Sequence, residues 1–165
     1  MTDNDWERRI ADLWASIDDL PADEFVARMD RVAAGVPEAV AAFERASAFD
    51  STGRPDRAVP LYRQGLEAGL TGVRRRRAVI QLASSLRALG RAEESVALLA
   101  AERERDPARA GAGERELDDA VAAFLALALT DVGREREAVA LALSALSAHL
   151  PRYQRSLAAC ATAIT

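Results

Sequence analysis

The chain has no lysine: all 22 of its basic residues are arginine. That absence excludes a Schiff-base lysine, a lysine general base and the lysine of a phosphate-binding loop. One cysteine, Cys160, and one histidine, His149, exclude an internal disulfide and leave too few ligands for a Cys/His zinc cluster. Aromatic residues make up 5% of the chain, which disfavours a sheet, whereas the abundant alanine suits closely packed helices. No uninterrupted apolar run reaches membrane-spanning length, and the opening MTDNDWERRI is acidic where a secretion signal is basic and then apolar. A soluble cytoplasmic protein with a reduced thiol, no metal and no cofactor is expected.

Half of the 165 residues are hydrophobic, enough for a single domain with a real core. The formal charge of −4 disfavours nucleic acid as a partner, since phosphate binding wants a basic surface. Apolar residues recur three and four apart almost throughout, with Gly or Pro between the periodic stretches. This pattern predicts helices over 4–18, 22–34, 38–51, 55–69, 73–89, 92–105, 115–132, 135–149 and 152–163, with no strand.

Three phrases repeat: GRPDRAVPLYRQGLEAGL from Gly53, GRAEESVALLAAERERDP from Gly90 and GREREAVALALSALSAHL from Gly133. Their spacing is that of helix-pair units. Each glycine follows one helix and suits a left-handed cap, and acidic residues (Asp56; Glu93 and Glu94; Glu135 and Glu137) open the next helix, where its dipole favours negative charge. These units resemble tetratricopeptide repeats. Ala46, Ala83 and Ala126 match that family's small first-helix residue, and Ala58, Ser95 and Ala138 its small second-helix residue. Phe49, Leu86 and Leu129, with Tyr62 and Leu99, match larger packing positions, and Pro107 matches the closing proline. Leu70 replaces that proline in the first unit and Pro151 falls one place late in the third; Arg45 and Ala142 stand where larger apolar residues are usual. The wording AVPLYRQGLEAGL, with Pro60 inside a helix, is similar to small bacterial members of this class; Pro60 should bend the helix.

The resemblance implies an all-α, right-handed α-solenoid of three helix pairs, at about 38–70, 73–107 and 115–151. Residues 1–37 and 152–165 would be capping helices of one compact domain. Trp6, Ile10, Leu13, Trp14 and Ile17 form one apolar stripe near the start, and Phe25, Met29, Val32 and Val36 another; both read as core rather than membrane surface. Tyr153, Leu157, Cys160 and Ile164 mark a closing helix in which Cys160 is expected to be a small buried residue. The insertion ARAGAGERELD reads as a mobile loop or an extension of the next helix's start.

The family's function, binding of a protein or peptide in a concave groove lined by first helices, is carried over as an expectation. The groove residues would be Val40, Phe43, Glu44, Ser47 and Asp50, then Arg74, Arg77, Gln81, Ser84 and Arg87, then Ala120, Ala123, Phe124, Leu127 and Asp131. The run RRRR at 74–77 opens a helix, where positive charge opposes the dipole. Either these arginines pair internally, with Glu67, Glu44 or Asp50, or Arg74, Arg77 and Arg87 select acidic groups on a partner. The family's clamp for a terminal carboxylate needs Lys and Asn, and Phe43, Ser47 and Gln81 stand near those positions instead. AVAAFLALAL from Ala120 is apolar all round, so Phe124 and Leu127 need a cover: the C-terminal helix, a second copy or a partner helix. A homodimer through this third unit or the Trp-bearing helix is the alternative function. His149 reads as a helix-end residue, and Asp118 and Asp119 as solvated charges, so no catalytic residue is assigned.

Overall fold

The computed structural model of the chain describes residues 3–105 and 111–164. Every regular element among them is helical: α1 (Asp3–Ala15), a 3-10 turn (Ile17–Asp19), α2 (Ala22–Ala33), α3 (Glu38–Ser51), α4 (Pro55–Glu67) and α5 (Gly72–Ala88) come first. They are followed by α6 (Ala92–Arg103), the single turn α7 (Ala112–Arg115), α8 (Asp118–Asp131), α9 (Glu135–Ser147) and α10 (Gln154–Ile164). Neighbours in sequence pack as neighbours in space: α3 on α4, α5 on α6, α8 on α9, with α4 joined to α5 and α6 to α8. The result is an all-α stack of helix pairs. The insertion is partly helical, as α7; Pro107 lies outside the described residues.

The repeated phrase works as a turn. Gly53, Gly90 and Gly133 have φ near +75° (+75°, +74° and +75°), where a Cβ would clash. In each turn two backbone amides close back onto the ending helix: Arg54, Arg91 and Arg134 donate to the carbonyls of Phe49, Leu86 and Leu129 at 2.9 Å. The glycine amides donate three residues back, which completes a Schellman cap. Arg91 and Arg134 then pair with Glu94 and Glu137 three residues on. In the first unit that position is Arg57, so Arg54 reaches Asp23 of α2 instead.

The small residues sit where helices touch: Ala46, Ala58, Ala83, Ser95, Ala126 and Ala138 are all buried. Gly65 belongs with them although the repeat pattern does not mark it; a Cβ there would lie 3.1 Å from the Ala39 carbonyl oxygen, so α3 and α4 need its absence. Apolar residues gather between units rather than within them. Phe43, Tyr62, Leu82 and Leu86 join the first unit to the second, and Leu99, Val121, Leu125 and Leu141 the second to the third. Leu70, in the place of a closing proline, is buried in the first of these clusters.

The ends differ. Trp6, Ile10 and Leu13 of α1 are buried, and Leu13 packs with Phe25, Val26 and Met29 of α2 against Ala48. At the other end α10 runs antiparallel to α9, with Gln154 Nε2 donating to the Leu150 carbonyl (2.8 Å) and Arg136 Nε to that of Ile164 (3.0 Å). Since α10 packs mainly on α9, its one fully covered residue is Ala161, and Cys160 is exposed rather than buried.

Candidate partner-binding surface

Successive helical residues point about 100° apart, so the four arginines that open α5 do not all meet one target, although Arg75 and Arg76 both reach Glu102. Arg74 makes a two-point contact with Glu7 of α1 (2.8 and 2.5 Å), reaches Glu44 of α3 at 3.2 Å and lies over the Trp6 ring at 5.2 Å. Arg75 donates to both oxygens of Glu102 on α6 (3.0 and 2.8 Å). Arg76 is buried, bonded to the Glu114 carbonyl (2.5 Å) and paired with Asp118 (2.6 Å) and Glu102 (3.5 Å). Arg77 alone of the four has no carboxylate among the described residues; its exposed guanidinium lies 5.4 Å over the Phe43 ring.

The buried acids explain why this basic run is tolerated at a helix start. Glu44 and Glu102 are 4% and 3% exposed, and carboxylates so far from water are costly to bury unless cations pair with them. Glu44 also accepts the Trp14 indole N–H at 3.0 Å. Of the internal partners considered from sequence, Glu44 is found; Glu7, Glu102 and Asp118 were not anticipated. Of these, Glu102 carried a signal in the sequence, a charged residue at core spacing three residues beyond Leu99. Asp118 and Asp119 are likewise paired rather than merely solvated, the latter with His149 at 2.7 Å.

A polar floor runs between α3, α4 and α5. Tyr62 Oη lies within hydrogen-bond reach of Asp50 (3.3 Å) and Ser47 (3.4 Å). Ser47 Oγ contacts Gln81 Oε1 at 3.4 Å, and Ser85 donates to Asp50 at 2.8 Å. Burial raises the Asp50 carboxyl above the usual aspartate range, opposed by the bonds from Ser85 and Tyr62; burial likewise pushes the Tyr62 hydroxyl up. Phe43 and Ser47 are fully buried, so they support this face rather than present themselves on it.

What remains accessible is a strip on α5 and α8. Arg77 is exposed, Gln81, Ser84 and Arg87 are partly so, and Arg87 is ion-paired with Asp131 of α8. Across from them Leu127 is 45% exposed, Ala123 is exposed and Phe124 is half-buried against the core. The C-terminal helix, which lies mainly against α9, leaves Leu127 and Ala123 exposed. Elsewhere, a cavity of about 310 Å³ lies beneath α7, where Arg76, Glu102, Glu114 and Asp118 meet Val121 and Leu141; its inner charges are paired with one another. No helix among the described residues is long and apolar enough to cross a membrane.

Glycine-capped helix pairs stacked face to face, with small residues at each crossing, define a helical repeat protein. Residues 39–164 match the family described as Tetratrico peptide repeat, and the chain belongs to that family. No curated protein and no solved structure matches it. Repeats of this family are non-catalytic scaffolds that mediate protein–protein interaction.

Proposed function

We propose that the chain is a non-catalytic interaction module whose α5–α8 strip takes a segment of a partner protein carrying an acidic group beside an apolar side chain. Arg77 is the residue that supports this most directly. Its guanidinium is held over Phe43, which limits its conformational freedom, yet its donors are free to meet a carboxylate. Leu127, Ala123 and Phe124 supply an apolar bed on the neighbouring helix, and Gln81 and Ser84 supply hydrogen-bonding groups between. Arg74 and Arg87 have lesser parts, since Glu7 and Asp131 already engage them.

Selection of a random peptide library on the full chain tests this reading. Enriched peptides should carry Asp or Glu near Leu, Ile or Phe. Their affinity should fall about tenfold or more, 1.4 kcal/mol, with Arg77→Glu or Leu127→Asp. Peptides without acidic residues, or binding indifferent to both substitutions, would overturn it.

A further inference from the structure

Internal repetition shows what the outer face of α9 lacks. Counting from the turn glycines, Val59 and Tyr62 of α4 correspond to Val96 and Leu99 of α6 and to Val139 and Ala142 of α9. In the first unit these positions are 5% and 0% exposed, packed in the cluster shared with α5. In the second, Leu99 is 0% exposed and Val96 packs against the cluster built with α8. In the third, Val139 is 48% exposed and Ala142 is exposed. Leu146, one turn further on the same stripe, is 50% exposed. A face that the following helices cover twice within the chain is thus left open, although α10 packs beside it.

We infer that this face is a self-association surface, covered by the same face of a second copy of the chain. Two observations select that occupant. The positions continue a face that the chain already buries between its own units, so what covers them is an apolar helix, as α5 and α8 are for α4 and α6. The stripe from Val139 to Leu146 also carries no acid, Glu135 standing one turn before it and no Asp or Glu following Glu137, whereas the whole chain carries a net charge of −4. A two-fold contact sets each patch against itself, and elsewhere on this acidic surface that would bring like charges together. Ala142 is small where Tyr62 and Leu99 are large, so the stripe between Val139 and Leu146 has room for a side chain such as the partner copy's leucine. The Trp-bearing helix, the other dimer surface considered from sequence, has Trp6 buried within the fold and Trp14 half-buried.

Sedimentation velocity on the full chain decides it. A reversible monomer–dimer equilibrium is expected below about 100 µM, insensitive to added salt because the contact is apolar. Leu146→Asp and, separately, Val139→Asp should each raise the dissociation constant about 100-fold, since each places a desolvated charge in the interface twice. Both sites are half exposed, so circular dichroism should show unchanged helix in either variant. Leu127→Asp, on the α8 strip, should leave association as it was and so separates this surface from the peptide-binding one. A chain that stays monomeric at about 100 µM, a dimer indifferent to both α9 substitutions, or one dissociated by Leu127→Asp instead would each overturn the inference.

Discussion

The helices before α7 and those after it share one architecture but join their surfaces differently. In the first part ions bridge helix to helix: Arg45 to Asp30, Arg54 to Asp23, Arg63 to Glu94, Arg74 to Glu7 and Glu44, Arg75 to Glu102. Among the described residues α8, α9 and α10 are joined by two polar contacts of charged side chains, His149 with Asp119 and Arg136 with the Ile164 carbonyl. The glycine caps and small crossing residues are alike in both. Packing positions therefore specify the stack, while the unrepeated charges decide which faces are closed. At the N-terminal end α1 seals its neighbours by meeting Arg74 and Glu44; at the C-terminal end Val139, Leu146 and Leu127 stay accessible.

The sharpest way to break this contrast is to remove the acid on which the first part turns. Glu102 is 3% exposed and receives Arg75, Arg76 and Arg105 together. Glu102→Ala should cost about 3–5 kcal/mol in a urea melt, because it strands buried arginine charge. A loss below about 1 kcal/mol would mean that the cluster behaves as a surface network. Truncating an apolar residue in each part comes next. Leu99→Ala should cost about 2–5 kcal/mol. Leu146→Ala, at concentrations where the chain is monomeric, should stay within about 0.5 kcal/mol of the parent.

The scaffold was readable in the sequence because its signals are local or periodic. Gly53, Gly90 and Gly133 mark turns by backbone preference alone, and Ala46, Ala83 and Ala126 recur at fixed distances from them. The accessible surface was less readable because it depends on pairs distant in sequence. Arg74 meets Glu7 across 67 residues and Arg76 meets the Glu114 carbonyl across 38, and no period announces such meetings. Phe43 and Ser47, expected from sequence to line the groove, are buried, and the depth that removes them from contact follows from Arg77 and Gln81 lying above them. Cys160 sits at apolar spacing, but spacing cannot tell that α10 packs chiefly on α9 and leaves its other side open.

Both tryptophans of the chain, Trp6 and Trp14, lie on α1, so their fluorescence reports the N-terminal seal and nothing of the third unit. Arg74→Gln removes the partner of Glu7 and Glu44 and the cation over Trp6. It should shift emission to the red and lower stability by about 1–3 kcal/mol, less than a fully buried pair because Arg74 is partly solvated. Unchanged emission would show that the apolar stripe of α1, without Arg74, holds the helix in place.

Asp50 is the carboxylate of the first part that takes its hydrogen bonds from hydroxyls, Ser85 and Tyr62, rather than from an arginine. Its raised pKa means that the folded chain holds this proton to higher pH than the unfolded chain does, so the charged form weakens folding. That penalty is absent below the ordinary aspartate range, grows as pH rises and is complete above the folded value. Asp50→Asn, neutral throughout, should therefore gain on the parent between about pH 3 and pH 7, by less than about 1 kcal/mol because the group is only partly buried. Urea melts at the two ends of that window measure the difference. A difference that moves in the parent's favour as pH rises would show that the carboxylate is stabilised by its surroundings after all, and Arg77, which already bears electrostatically on Tyr62, would be the cation to test next.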